Sequence, residues 1–151
     1  MRVQAEPFDP GREMAGFAAG SVDAGGIASF LGLVRGRHQG SAVLAMTLEH
    51  YPGMTENEMA GIEAEARRRW PLDDVLVIHR HGRMLPGEPI VLVLTASAHR
   101  AAALESCAFL IDWLKTRAPF WKLEETPEGE RWVEPRASDD AAARKWLEAA
   151  G

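Results

Sequence analysis

The 151-residue sequence has a single cysteine, Cys107, and no long apolar run. One cysteine excludes an intrachain disulfide. No stretch approaches the roughly 18 uninterrupted apolar residues of a membrane-spanning helix. The first residues also lack the apolar segment of a secretory signal peptide. We therefore expect a cytoplasmic protein that does not contact a membrane.

The sequence also has fewer basic residues than acidic residues. The formal net charge is −5 and the isoelectric point is about 5.5. A general nucleic-acid binder needs a basic surface that displaces phosphate counterions, so we expect no nucleic-acid partner. A net charge says little about one pocket, and a local anion site is compatible with it. Composition and length are those of one globular domain with a real core.

Lysine is the scarcest of the charged residues, with three copies against fourteen arginines. Lys115 and Lys122 lie seven positions apart, and Lys145 is the third. Lysine can be tuned into an acid, a base or a nucleophile, whereas arginine keeps its proton. The pattern is consistent with lysine retained where titration matters. With three cases, chance explains it equally well.

Periodicity and turn residues predict one α+β domain, residues 1–151, with an antiparallel or mixed sheet and two long helices packed on it. The predicted strands cover 2–8, 26–35, 43–51, 74–81, 90–96, 120–124 and 131–133. The predicted helices cover 12–19, 56–70, 98–115 and 139–148. We expect strands 26–35 and 43–51 to pair antiparallel, with 36–42 a mobile polar loop between them.

The two long helices have further signals. Thr55 and Glu58 have the spacing of a capping box at the start of the first. Ser97 is predicted to cap the second. The apolar stripe of the first helix consists of Met59, Ile62, Ala66 and Trp70. That of the second consists of Leu104, Cys107, Ile111 and Leu114.

Two segments have residues suited to chemistry. His99 and Arg100 would fall in the first turn of the second long helix, where free N–H groups and a partial positive charge attract anions. They could equally be a satisfied histidine and a surface arginine. Lys115 and Lys122 flank Phe120 and Trp121, whose aromatic rings could desolvate an amine and lower its pKa. A lysine at a helix C-terminus is also favourable for structural reasons alone.

Other signals are weaker. Arg35 lies beside a polar loop with Arg37 and His38, where an anion could be clamped. His79 and His81 share one strand face, but no further ligand motif completes a metal site. Cys107 lies in an apolar stripe and is expected to pack. No phosphate-binding loop, dinucleotide fingerprint or nucleophile elbow occurs.

Several stretches taken together closely resemble the catalytic (large) subunit family of molybdopterin synthase. They are 48–55 (LEHYPGMT), 69–72 (RWPL), 97–100 (SAHR), 115–122 (KTRAPFWK) and 127–134 (PEGERWVE). The resemblance runs from about residue 26 to residue 146, in order and with the family's spacing, and residues 1–24 match poorly. It implies a hammerhead-like α/β fold and no cofactor.

The resemblance also implies an activity. Members convert precursor Z, a cyclic pyranopterin monophosphate, into molybdopterin. Sulfur arrives as a thiocarboxylate on the C-terminal Gly-Gly of a small ubiquitin-like subunit. Two large subunits usually form a homodimer with one small subunit at each end.

The family's site residues transfer to matching positions. By resemblance, Lys115 would meet the partner's C-terminus and the reacting carbons, and Lys122 would assist as acid or base. His99 and Arg100 would hold the phosphate or pterin. Arg35 would add a positive contact, either in the same chain or across the dimer.

Other positions complete the implied site and mark one departure. Phe30 would line it, and Leu123 and Glu124 would lie along the substrate. Relatives commonly have lysine before a Val–Arg pair, whereas here Leu33 precedes Val34. A backbone contact at this position could survive the loss of charge. Arg37 could compensate for that loss, or substrate affinity could be lower.

Two other functions use the same residues. A Schiff-base enzyme acting on a phosphorylated carbonyl compound would use Lys115 and the anion site. A non-catalytic scaffold would bind the ubiquitin-like tail without converting a pterin.

Overall fold

The structure, a computed structural model, describes residues 1–133 and 137–148; Glu134, the end of the last family-like stretch, lies outside them. The strands in these ranges are β1 (Arg2–Gln4), β2 (Gly26–Leu33), β3 (Arg37–His38), β4 (Ser41–Ala42), β5 (Ala45–His50), β6 (Asp74–Arg80), β7 (Gly82–Met84), β8 (Pro89–Ser97), β9 (Phe120–Thr126) and β10 (Gly129–Val133). The helices are α1 (Pro10–Gly20), α2 (Met54–Arg69), α3 (Arg100–Arg117) and α4 (Ala137–Glu148).

The main sheet has the order β1-β6-β8-β2. Strand β1 runs parallel to β6, and the other pairs are antiparallel. Its apolar side chains pack on α2 and α3 on one face and on Phe17 of α1 on the other. A strand with both faces covered is apolar along its whole length, which explains the run of buried residues in β8. The predicted α+β class, with two long helices on the sheet, is confirmed.

A second sheet has the order β10-β9-β5-β7 and is antiparallel throughout. Its small core is formed by Val34, Met46, Leu48 and Met84, with Phe120 packed against them. The C-terminal end of α3 leads into this sheet through Ala118, whose extended backbone ends the helix before Pro119. Helix α3 thus connects β8 of the main sheet to β9 of the second sheet, and both candidate lysines lie where α3 ends and β9 begins.

Helix α4 is anchored beside the end of α3. Trp146 donates from Nε1 to Asp112 Oδ2 at 2.7 Å, and its backbone oxygen accepts from Arg69 at 2.8 Å. Its ring packs edge-on against Trp70 and Phe109. Burying an aromatic ring the size of Phe109 contributes about 1.5–3 kcal/mol. Helix α4 thus packs beside α3, and Asp139 of its first turn acts electrostatically on Lys122.

The predicted pairing of strands 26–35 and 43–51 is wrong. Strand β2 ends at Leu33 and pairs with β8, whereas β5 pairs with β7 and β9. The intervening segment contains a short hairpin of β3 and β4, and its His38 is buried. The mobility of 36–42 stays a prediction. Strand β7 was missed, and β1 is shorter than predicted.

Both predicted helix caps are wrong. Helix α2 begins one residue before Thr55, which is buried, and Glu56 accepts from the Gly53 N–H at 2.6 Å. Ser97 belongs to β8 and donates its hydroxyl to the Pro71 carbonyl, leaving His99 as the first flanking residue of α3. The residues that flank the two helices are Gly53 and His99, and neither caps its helix with a side-chain hydrogen bond.

The apolar stripe of α2 is confirmed for Met59, Ile62 and Ala66, all buried. In α3, Leu104 is 61% exposed, while Ala103 and Phe109 are buried. The predicted stripe of α3 is confirmed for Cys107 and Leu114, which are buried, and is wrong for Leu104. Burial extends to other sides because a helix apolar on several sides has no single periodic face. None of the helices in the described ranges is both long and apolar enough to cross a membrane.

Candidate active site

Lys122 lies on the inner face of β9. Side chains alternate along a strand, so Phe120, Lys122 and Glu124 share one face, while Trp121 and Leu123 share the other. Lys122 is opposite Leu48 of β5 and Val133 of β10. Its amine therefore faces the same side as the buried Glu124 and the packed Phe120 ring.

The surroundings of Lys122 favour the neutral amine. Desolvation is the largest cause that lowers its pKa, followed by the charge of Lys115 and, more weakly, Arg35. Asp139 and Glu124 oppose the shift. The side chain as a whole is exposed.

Lys115 lies in the last turn of α3 and is exposed. Its charge acts on Lys122, as do those of Arg35 on the loop after β2 and Asp139 in the first turn of α4. The structure thus brings together Lys115, Lys122 and Arg35 within one chain. A lysine whose pKa is lowered exchanges protons with a substrate more readily than an ordinary surface lysine.

Strand β2 and helix α3 form an open groove. Phe30 is 37% exposed and lines this groove of about 340 Å³ with Cys107 and Ile111 of α3. Leu33 is 49% exposed, and the pairing with β8 is irregular between Gly32 and Leu33. Burial raises the pKa of the Cys107 thiol to about 11, which makes it a poor nucleophile.

Val34 anchors the loop that follows. It is buried, its N–H donates to the Glu88 carbonyl at 3.0 Å, and its carbonyl accepts from the Gly87 N–H at 2.8 Å. Its side chain belongs to the core of the second sheet and so is not available to a ligand. Its structural role is to hold the neighbouring Arg35 at the sheet edge.

Glu124 and Leu123 are placed differently from the basic residues. The Glu124 carboxylate is buried, and its Oε1 lies 2.9 Å from Nδ1 of His38 and accepts from Arg131 Nε at 3.1 Å. Glu124 Oε1 is therefore already hydrogen-bonded to two other residues of this chain. Leu123, on the opposite face of β9, points away from Lys122.

His99 and Arg100 lie at the other end of α3 and are exposed. Arg100 and Lys115 are fifteen residues apart on one helix, or about 22 Å at 1.5 Å per residue. The same protomer cannot present both to one small molecule. Geometry divides the predicted residues into two groups, one at each end of α3.

The sequence analysis named His38 and His79 but missed the contacts that they make near the lysines. The His38–Glu124–Arg131 network joins residues up to 93 positions apart, and no local spacing announces it. The other residue is His79, whose ring stacks on Phe120 with centroids 3.9 Å apart. Burial lowers the pKa of His79 to about 4. Its Nδ1 lies 2.9 Å from the Arg80 carbonyl, so a neutral ring that donates there satisfies both.

The known proteins that this chain resembles in sequence and in structure belong to one family. A family model described as "MoaE protein" matches residues 3–117. The molybdopterin synthase catalytic subunit of Pseudomonas aeruginosa is 55% identical over 98% of this chain and 99% of its own length. The structure of the molybdopterin biosynthesis MoaE protein from Burkholderia ambifaria has a TM-score of 0.81 at 51% identity, covering 96% of this chain and 95% of that one.

A more distant structure shares the fold alone. It is described as a protein–protein complex of subunits 1 and 2 of the molybdopterin-converting factor from Helicobacter pylori. Its TM-score is 0.75 at 18% identity, covering 89% of this chain and 90% of that one.

Proposed function

The chain belongs to the MoaE protein family, that of the molybdopterin synthase catalytic subunits, and we propose that it transfers sulfur to precursor Z to form molybdopterin. The sulfur donor in this proposal is the C-terminal thiocarboxylate of a small ubiquitin-like subunit. The observation that carries the proposal is the meeting of Lys115, Lys122 and Arg35 in one chain, with the pKa of Lys122 lowered.

Each group has a chemical task. The thiocarboxylate sulfur attacks a substrate carbon and forms a C–S bond, and water then cleaves the acyl–sulfur bond, so that the partner leaves as a carboxylate. Departure of the substrate oxygen requires a proton, and attack by water requires a base. Lys122, whose surroundings favour the neutral amine, suits the second role, and Lys115 is placed to give the proton. Arg35 offers a fixed positive charge to the anionic reactants.

The groove along β2 and α3 fits an extended chain end. It is open, lined by Phe30, Ala108 and Ile111, and lies beside the turn of α3 that bears Lys115. A slender Gly-Gly tail needs such a channel more than a deep pocket. We therefore place the partner's C-terminus in this groove.

Binding of the substrate phosphate requires further positive charge. His99 and Arg100 are the candidates, but they lie at the N-terminal end of α3, whereas Lys115 lies at its C-terminal end. We propose that a second copy of the chain brings its own His99 and Arg100 to the Lys115 end, forming a homodimer with two composite sites. The support is the separation of about 22 Å along a single helix. Arg35, by contrast, acts on Lys122 of its own chain.

A single-turnover assay tests the reaction. The protein, precursor Z and a small subunit with a C-terminal thiocarboxylate are mixed, and molybdopterin is detected as its fluorescent oxidised derivative. We expect product from the native protein and none from Lys115→Ala. Lys145→Ala is the matched control, since Lys145 lies on α4 beside Asp112.

The alternatives give different results. Tight binding of the small subunit without product would indicate a scaffold. Borohydride trapping of a phosphorylated carbonyl substrate on Lys115, without any partner, would indicate a Schiff-base enzyme.

A further inference from the structure

The β3–β4 hairpin is attached to the candidate site through a buried polar cluster. We name it the His38 clasp; it consists of His38, Glu124 and Arg131. His38 and Glu124 are 8% and 6% exposed. An ionised carboxylate can only accept, so the His38 Nδ1–H donates to Glu124 Oε1. Arg131 donates to the same oxygen and, through Nη2, to the His38 carbonyl at 3.0 Å.

The hairpin needs such an attachment. Its turn residues Gln39 and Gly40 have φ angles of 52° and 80°, the pattern of a type I′ turn. A non-glycine residue in the left-handed region is costly and persists where surrounding contacts compensate. With two residue pairs, the β3–β4 ladder offers little compensation of its own.

The clasp lies between two residues of the site. Glu124 is two positions from Lys122 on the same face of β9, and Arg35 is three positions before His38. The entry of the loop is held at Val34, and its exit is held where the Leu44 N–H donates to the Glu125 carbonyl at 2.8 Å. His38 holds the middle. The segment that bears Arg35 is thereby tied to the strand that bears Lys122.

We propose that His38 is a positioning residue: its hydrogen bond to Glu124 holds the β3–β4 hairpin on β9 and so keeps the charge of Arg35 within electrostatic reach of Lys122. This inference rests on the proposed function, because it assigns His38 an effect on that reaction. Glu124, in consequence, acts through the clasp and not as a ligand of the substrate.

The first test measures kcat and KM of hairpin variants in the assay above. His38→Leu fills the space without a donor, and we expect kcat to fall about tenfold or more, because the buried carboxylate loses a partner. In His38→Asn the amide nitrogen can replace Nδ1, and we expect kcat within about threefold of native. Glu125→Gln is the matched control: Glu125 is the next residue of β9, paired with Arg83 on the outer face, and its loss should change kcat less than about twofold.

A double-mutant cycle separates positioning from mere stability. If His38 acts through Arg35, adding His38→Leu to Arg35→Ala should lower kcat by less than about twofold. A loss that is undiminished in the Arg35→Ala background would overturn the proposal. So would a folded His38→Leu protein with native kcat. His38→Ala replaces His38→Leu if the latter does not fold.

A second readout needs no catalysis. The protein has three lysines, so their ¹³Cε NMR signals can be assigned with three single variants. Release of the hairpin removes the Arg35 charge from the neighbourhood of Lys122, and this change should raise the pKa of Lys122 in His38→Leu. An unchanged titration would refute the clasp. If the native protein forms no molybdopterin, the proposed function fails, while this titration still decides whether His38 positions the site.

Discussion

The composite site predicts that two inactive variants restore activity when they form mixed dimers. Lys115→Ala removes a group from one end of α3, and Arg100→Ala removes one from the other, about 22 Å away. Each variant alone should be inactive in turnover of precursor Z. In a mixed dimer, one site combines Lys115 of the Arg100→Ala chain with Arg100 of the Lys115→Ala chain and is complete. The other site lacks both.

The expected recovery of activity follows from the two-fold symmetry of the dimer. Random pairing of equal amounts makes half of the dimers mixed, and each mixed dimer has one of its two sites intact, so the mixture should recover about a quarter of native activity. Mixed dimers isolated with two different affinity tags should recover about half.

The control pair is Lys115→Ala with Lys122→Ala. Both residues belong to the same end of the same chain, so neither site of that mixed dimer is complete and no activity should return. Recovery by the control pair, or no recovery by Lys115→Ala with Arg100→Ala, would refute the composite site. A protein that sediments as a monomer while active would refute it as well.

Three further predictions concern titratable groups. Lys115→Arg should be as inactive as Lys115→Ala in the single-turnover assay, because arginine does not release its proton; near-normal turnover would remove the proton-transfer role. Lys115→Ala should raise the pKa of Lys122, whose lowering is caused in part by the Lys115 charge, and ¹³C NMR titration would show an unchanged value if the charges do not interact. Burial lowers the pKa of His79 to about 4, so its contribution to stability is present above about pH 6.5 and is lost as pH falls towards 4, by up to ~3 kcal/mol. His79→Phe, which can still stack on Phe120, should show a smaller loss of unfolding free energy between pH 7 and 4.5 in urea titrations; an equal loss would assign the acid sensitivity elsewhere.

Much of the local structure could be predicted from residue patterns. The face of α2 with Met59, Ile62 and Ala66 is buried as its spacing predicts. Such a stripe needs no knowledge of the rest of the chain, because residues three and four apart lie on one side of any helix. The predicted helix caps were wrong, since the hydroxyl groups of Thr55 and Ser97 donate to the carbonyls of Pro119 and Pro71.

Predictions of the site divide in the same way. A helix from about residue 98 to 115 already implies that its ends are too far apart for one small ligand, so the separation of Arg100 from Lys115 was contained in the sequence. The meeting of Lys122 with Arg35 was not. It depends on the pairing of β5 with β9 and on the path of the hairpin between β2 and β5.

The sequence by itself determined the fold class, most helices and strands, the family and the two lysines, because these depend on periodicity, turn residues and motifs that are written locally. Tertiary structure alone decided which strands pair, that the Glu124 carboxylate is bound by His38 and Arg131, and that Lys122 is desolvated. The physical reason is that strand partners and buried polar contacts are chosen by the burial of the whole core. His38 and Glu124 are 86 positions apart, and the sequence around each of them does not indicate that they form a contact.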